Sequence, residues 1–385
     1  MQEKIKEAVL KFEELLKGQI ERAENMKANK DFTDYNALDK IVIGIIPGDG
    51  IGPIILREAE RVLNFLLADK IACGKVELRN IEGLTIENRI AKMQSIPEDV
   101  MAEIKKCHVL LKGPTTTPGK GDGLPNLESA NVTMRRELDL FANVRPVCIP
   151  EKGIDWTFFR ENTEGSYAVG SKGLTVGDVS VDFCVHTTDG CERIAKAAFE
   201  FAKNNGKKRV SAVTKANIIK TTDGKFLDIC KEVSKDYPDI AFDSWYVDIM
   251  SANLINEDIR SGFEVFVLPN LYGDIITDEA AQIQGGVGTA GSSNIGKKYA
   301  MFEAIHGSAP RMIEEGIGDW ANPSSIMRAA AMLLSHIGFQ AESDKLSRAL
   351  DICLIEEKKI VNTGNKDGAT CAEFADYIME TVKSL

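Results

Sequence analysis

The chain has 385 residues, enough for one large or two medium domains with a substantial core. Its formal charge of −11 (sequence pI about 5.1) is spread rather than blocked, which argues against nucleic acid or an anionic membrane as main partner. An anionic small molecule stays open, because local arginines set the field in a cleft.

No apolar stretch approaches the ~18 residues of a membrane span. Residues 1–38 lack an apolar signal core and carry many glutamates, unlike a transit peptide. The eight cysteines form no Cys-x-x-Cys pair and mostly sit in apolar runs, so reduced, buried thiols and a cytoplasmic chain are expected.

Residues 1–30 repeat Ile5, Val9, Phe12, Leu15, Leu16 and Ile20 at helical spacing, predicting an added helix that docks on the body or on a partner. Ile41–Ile46 is a buried strand, followed by the turn Pro47–Pro53 and a helix from about Ile54. Further strands are expected at Val109–Leu111, Trp156–Phe159, Val210–Val213 and Val265–Leu268, with helical patterns over 194–204 and 224–236. The alternation predicts an α/β protein with a largely parallel sheet. Short β-rich pieces within 166–186 break it and read as an appended β element.

Gly48-x-Gly50-x-Gly52 has the wrong spacing for a dinucleotide fingerprint; it reads as a tight turn allowing close backbone approach. Ser129, Asn131 and Arg135 gather at a helix start, and Arg145 follows beyond a strand; anion binding and a plain solvated helix start are both open. Arg160 lies after an aromatic strand, with Tyr167 seven residues on, as proton donor or packing residue. Lys215 ends another strand, where a lysine beside a metal can do acid–base work; a surface lysine is the alternative.

Asp248, flanked by apolar residues, is costly to bury unless paired or ligating. Asp274 and Asp278 are four apart on one helix face. Three carboxylates without a histidine or cysteine cluster suit Mg²⁺ or Mn²⁺ rather than zinc. The loop Glu303–Arg311, then Asn322, is rich in small residues that admit a flat ligand; His306 is placed to meet an adenine or to serve the structure.

Together, Pro47–Gly52, Arg135–Asp139, Phe159–Asn162, Gly273–Asp278 and His306–Pro310 resemble, in order, the metal-dependent decarboxylating β-hydroxyacid dehydrogenases, over the chain from about Ile41 onward. That family comprises isocitrate, 3-isopropylmalate, homoisocitrate and tartrate dehydrogenases. The resemblance implies an isocitrate/isopropylmalate dehydrogenase-like fold rather than a Rossmann fold, with large and small domains around a shared sheet and a β clasp. It implies an N-terminal helical extension (1–38), a large domain (39–140 and 284–385), a small domain (141–164 and 188–283) and a clasp segment (165–187).

By the same resemblance the enzyme is a homodimer with shared sites, Lys215 and Asp248 serving the partner's. Ser129, Asn131, Arg135, Arg145 and Arg160 would bind substrate, and Asp248, Asp274 and Asp278 would hold Mg²⁺ or Mn²⁺. Tyr167, Lys215 and Asp248 would be catalytic. Thr117, Asn217, Glu303, His306, Gly307, Ser308, Ala309, Arg311 and Asn322 would bind the cofactor. Ser129-x-Asn131 is similar to the isocitrate branch, where the pair holds a carboxylate that an isopropyl group would replace unfavourably.

Two departures matter. The loop between Pro114 and Ser129, containing Gly119–Gly123, is longer than in common bacterial isocitrate dehydrogenases, so phosphoregulation at Ser129 is not implied. After Pro310 the chain has Arg311-Met312, where NAD enzymes of the family carry aspartate and NADP enzymes lysine and tyrosine; Glu314 or Glu315 are alternatives for the ribose, and NAD versus NADP stays open. Beside isocitrate, the readings carried forward are homoisocitrate or 3-isopropylmalate as substrate, and a catalytically silent regulatory subunit.

Overall fold

The structure, a computed structural model, describes residues 2–28, 32–119, 121, 123–170, 172–285 and 290–385. Lys120 and Asp122 of the long loop therefore lie outside the described residues. Among those described, the strands are β1 (Ile41–Ile46), β2 (Val76–Asn80), β3 (Val109–Lys112), β4 (Ala142–Ile149), β5 (Ile154–Glu161), β6 (Leu174–Val176), β7 (Val179–Val181), β8 (Arg209–Thr214), β9 (Ala241–Tyr246), β10 (Val265–Leu268), β11 (Gly291–Ile295) and β12 (Ala300–Ala304). The chain divides into two compact units: a terminal unit, Thr33–Leu138 with Gly285–Leu385, and a central unit, Met1–Phe32 with Asp139–Gln284.

In the terminal unit the order is β2-β1-β3-β12-β11, parallel except for β12–β11. All six residues of β1 are buried, and its sequence is continuously apolar because helices cover both sheet faces. Helices Gly52–Leu66, Ser324–His336 and Cys371–Ser384 contribute Leu63, Leu334 and Phe374 to its core. Pro53 sits in the first turn of Gly52–Leu66, where its missing N–H removes no helical bond.

In the central unit the order is β4-β5-β10-β8-β9, antiparallel only between β4 and β5. Phe158 stacks on Phe266 with ring centres 4.4 Å apart, and Trp156 closes on both edge-on. Arg145 lies inside β4 rather than beyond a strand, because Pro146 does not break it. Pro146 opposes Thr157, whose own N–H donates to Glu264 on the other side, so this pair has no ladder bond for proline to lose.

The β-rich insertion is a hairpin of β6 and β7, and a Gly165–Val185 bridge closes its base; residue 171 lies outside the described residues. The N-terminal helix spans Gln2–Ala28 and sets Phe12 against Phe183 at 5.1 Å. The eight cysteines are free thiols, with Cys107, Cys191, Cys230, Cys353 and Cys371 buried and Cys73, Cys148 and Cys184 exposed. Burial pushes the Cys107 thiol up to about 11. No helix among the described residues is long and apolar enough to cross a membrane.

Candidate active site

The central unit brings five of the expected residues together. Arg160, 1% exposed near the end of β5, donates Nε and Nη2 to Asn270 Oδ1 at 3.0 and 2.7 Å, and its Nη1 meets Asp274. Arg145 of β4 donates Nη1 to Thr277 Oγ1 at 2.5 Å and to Asp278 Oδ1 at 3.0 Å. Asp274 and Asp278 stand one turn apart on the helix Asn270–Gln284, as their spacing requires. Tyr167 donates its hydroxyl to Asp274 Oδ2 at 3.0 Å, and its ring lies 5.6 Å from the Arg160 guanidinium.

Hard oxygen donors fit Mg²⁺ or Mn²⁺, and Asp278 keeps 61% of its side chain exposed beside the half-buried Asp274. Among the described residues no three His, Cys, Asp or Glu side chains converge.

The third expected ligand belongs to a second cluster in the same unit. Lys215 follows β8 directly, and its Nζ donates to Asp248 Oδ1 at 2.5 Å. That hydrogen bond holds the Asp248 carboxyl below the ordinary carboxylate range. Asp248 is thus paired, and it is not buried. It opens the helix Val247–Ile255 with its side chain 57% exposed, and its apolar neighbours Tyr246 and Ile249 are exposed with it. Asp223, buried, accepts the Lys215 backbone N–H at 2.7 Å and so fixes where Lys215 begins. Asn217 lies exposed in the turn that follows.

In the terminal unit, Ser129 is the N-cap of the helix Ala130–Glu137, yet its side chain makes no cap bond. Asn131 Oδ1 accepts from Thr115 Oγ1 at 3.3 Å. Arg135 stands in the last turn of that helix, rather than at its start, and donates Nη2 to Glu303 at 3.1 Å. Its Nε is buried with no hydrogen-bond partner among the described residues, a donor an anion would satisfy.

Glu303 is itself buried beneath Lys112 (3.7 Å), Arg135 and Asn294 (2.8 Å). Burial works to raise its pKa, but the two cations outweigh that and hold it below the ordinary range. Lys112, wholly buried, is pushed down by desolvation.

The turn 47–53 packs chain against chain. A side chain at Gly50 (φ +58°) would meet the Ser308 carbonyl oxygen at 2.0 Å, and Ile51 N–H donates to that oxygen at 3.0 Å. Asp49 accepts Ile86 N–H and Thr116 N–H, both at 2.7 Å, and Thr116 Oγ1 lies 2.9 Å from Ser308 Oγ. These contacts fix loop 306–309, where Ala309 holds φ +44°, a left-handed conformation that a residue with a Cβ adopts at a cost. Gly307, Arg311 and Thr117 are exposed. Asn322 Oδ1 caps Ser324 N–H at 2.9 Å.

His306 Nδ1 lies 3.0 Å from the Gly307 carbonyl, which only accepts, so Nδ1 carries the proton. Burial lowers the imidazole pKa, and Nε2 is a buried, neutral acceptor with no partner among the described residues. An exocyclic amine such as that of adenine would satisfy it.

Sequence reading missed Asn270, Asp49 and Asp223, which orient other site residues. Only Asn270 left a trace: it follows the apolar strand β10 by one proline, where α/β sheets place their ligands.

A sequence profile described as isocitrate/isopropylmalate dehydrogenase matches residues 42–378. The homoisocitrate dehydrogenase of Methanocaldococcus jannaschii is 35% identical over 88% of this chain and 98% of its own length. A probable mitochondrial isocitrate dehydrogenase [NAD] subunit alpha of Caenorhabditis elegans is 36% identical over 91% of this chain and 95% of its own. The crystal structure of isocitrate dehydrogenase from Methylococcus capsulatus superposes with a TM-score of 0.76 at 35% identity, covering 89% of this chain and 99% of that one. With this match and these motifs, the chain belongs to the isocitrate/isopropylmalate dehydrogenase family and has its mixed α/β fold.

Proposed function

We propose that the enzyme oxidatively decarboxylates isocitrate to 2-oxoglutarate and CO₂ with NAD or NADP, as a cytoplasmic homodimer whose sites are shared. The observation that carries the choice of substrate is Ser129, whose hydroxyl is not spent on capping, two residues before Asn131. Two polar side chains there suit a third carboxylate; an alkyl group would leave them unpaired.

Arg135, Arg145 and Arg160 would bind the substrate carboxylates through charge-assisted forks. Asp274 and Asp278, with Asp248 from a second copy, would hold Mg²⁺ or Mn²⁺. When bound, the metal acidifies the C2 hydroxyl and stabilises the charge left as CO₂ departs. Loop 303–311, with Thr117, Asn217 and Asn322, would hold the nicotinamide dinucleotide, which accepts the C2 hydride. Lys215 and Asp248 together would take the hydroxyl proton, the lysine accepting it as its own ammonium proton passes to the Asp248 carboxylate, and Tyr167 would deliver its hydroxyl proton to C3 after decarboxylation.

The test is absorbance at 340 nm with Mn²⁺, NAD or NADP, and each of isocitrate, homoisocitrate and 3-isopropylmalate. A rise with isocitrate at the highest kcat/KM supports the reading. A larger rise with homoisocitrate, the substrate named for one of the relatives, would mean that the site accepts a longer chain. Isocitrate binding without reduction of either cofactor would favour a silent subunit.

A further inference from the structure

The helix Gln2–Ala28 lies outside the family-matched segment 42–378, and the scheme above gives it no task. Within the central unit it packs on residues 139–284 at two places. Near its start, Phe12 packs on Phe183 and Lys11 Nζ donates to Gly173 carbonyl at 3.5 Å. Near its end, Arg22 donates Nη1 to Glu164 Oε1 at 3.3 Å and Nη2 to Thr163 Oγ1 at 3.0 Å. The Arg22 side chain is only 20% exposed, on a helix whose other charged residues mostly face water.

What Arg22 meets is unusual. Glu161 and Glu164 are buried to 2% and 1% exposure, immediately after Arg160. Glu161 accepts Thr163 N–H (3.0 Å), Thr163 Oγ1 (2.7 Å) and Glu164 N–H (2.5 Å). Glu164 accepts Thr187 N–H (2.9 Å) and its hydroxyl (2.5 Å), and Gly190 leaves room for it, since a Cβ there would stand 2.3 Å from the carboxylate.

Two buried carboxylates need cations. Arg193, on the helix Thr188–Asn204, supplies one: it shares Thr163 Oγ1 at 2.8 Å and is itself tied to Asp139 at 2.7 Å. His186 and Cys191 also face Glu164. Arg22 is the cation on Glu164. From there the connection runs inward: Glu164 carbonyl accepts Asn270 Nδ2 at 3.1 Å, and Asn270 Oδ1 takes the two nitrogens of Arg160.

We propose that Arg22 is a positioning residue for Arg160. By neutralising Glu164 it fixes the turn 161–164, through which Asn270 and then Arg160 are aimed, so docking of the N-terminal helix sets the affinity of the site for its acidic substrate. This rests on the function proposed above.

The test uses full-length Arg22→Gln and Arg22→Lys. Arg22→Gln raises KM for isocitrate about tenfold at pH 8 with kcat within about twofold, and Arg22→Lys restores most of the loss. The defect shrinks toward pH 6, because protonation of the buried Glu161 removes one of the two neighbouring negative charges that the missing cation offset. A purely structural role would lower kcat through a smaller folded fraction and leave KM flat with pH; that result, or a lysine variant no better than glutamine, overturns the proposal.

Hydrogen exchange of segments 160–165 and 270–274 gives a readout that does not depend on turnover. Faster exchange in Arg22→Gln, reversed in Arg22→Lys, supports the coupling even if the wild type does not reduce NAD or NADP with isocitrate, which would sink the functional reading alone. Unchanged exchange overturns the coupling.

Discussion

Arg160 sets two of its nitrogens, Nε and Nη2, on one atom, Oδ1 of Asn270. One amide thereby fixes the plane of a guanidinium that is almost wholly buried, while its other amide end is held by Glu164 carbonyl. Asn270→Ala removes the acceptor that two buried, charged donors share, at about 1–3 kcal/mol of stability. The expected outcome is a lower melting temperature and a fall in kcat/KM of about tenfold to a hundredfold, carried mostly by KM. A variant with unchanged KM for isocitrate would show that Arg160 holds its aim without Asn270.

Gly273 is required by the same arginine. A Cβ at this position would stand 2.4 Å from Arg160 Cγ and 2.6 Å from Cβ, the rigid near end of a side chain that has nowhere to go. Gly273→Ala therefore costs about 1–3 kcal/mol as overpacking, although alanine is the better helix former. Chemical denaturation measures this directly: helix propensity alone predicts stabilisation, so the sign decides.

These two cases show what the sequence displays and what it hides. Residues proposed to meet ligand through charge, such as Arg145, Arg160, Asp274 and Asp278, stood out because charge beside an apolar strand or at helical spacing is locally visible. Asn270, Asp223, Asp49 and Arg22 act through partners 8 to 142 positions away, and neither the spacing nor the residue type marks such a pairing. Strand β4 was obscured by Pro146, which costs its pairing with Thr157 no bond because Thr157 turns its N–H to the Glu264 carbonyl, just before β10. Glycines 48 and 50 did signal close approach, but the approaching groups are this chain's own Pro114 and Ser308.

Lys215 and Asp248 form an ion pair with Asp248 more than half exposed, so its worth to stability is small and its worth to chemistry is testable. Lys215→Met removes the group proposed to take the hydroxyl proton. It should lower kcat by about 10²–10⁴, the range for a general acid–base group, while isocitrate affinity by calorimetry stays within a few-fold. With the hydrogen bond gone, the Asp248 carboxyl returns toward its ordinary range, which carbon-13 NMR of the labelled carboxyl would follow. Retention of full turnover would remove Lys215 from the mechanism.

Glu161 gives the fold a pH dependence opposite to that of most carboxylates. Burial first, and the charge of Glu164 second, push its pKa up to about 7, against the lowering effect of Arg193. A carboxyl whose pKa is higher in the folded than in the unfolded chain binds more protons when folded, so stability falls as pH rises between the two values. The window here runs from the ordinary carboxylate range to about 7, and above it the loss is complete. Glu161→Gln keeps an oxygen to accept from Thr163 and cannot ionise. The melting temperature of the wild type relative to this variant should therefore drop from pH 5 to pH 7.5 and then level off. A parallel pair of curves would mean that Glu161 is ionised throughout, with Arg193 outweighing its burial.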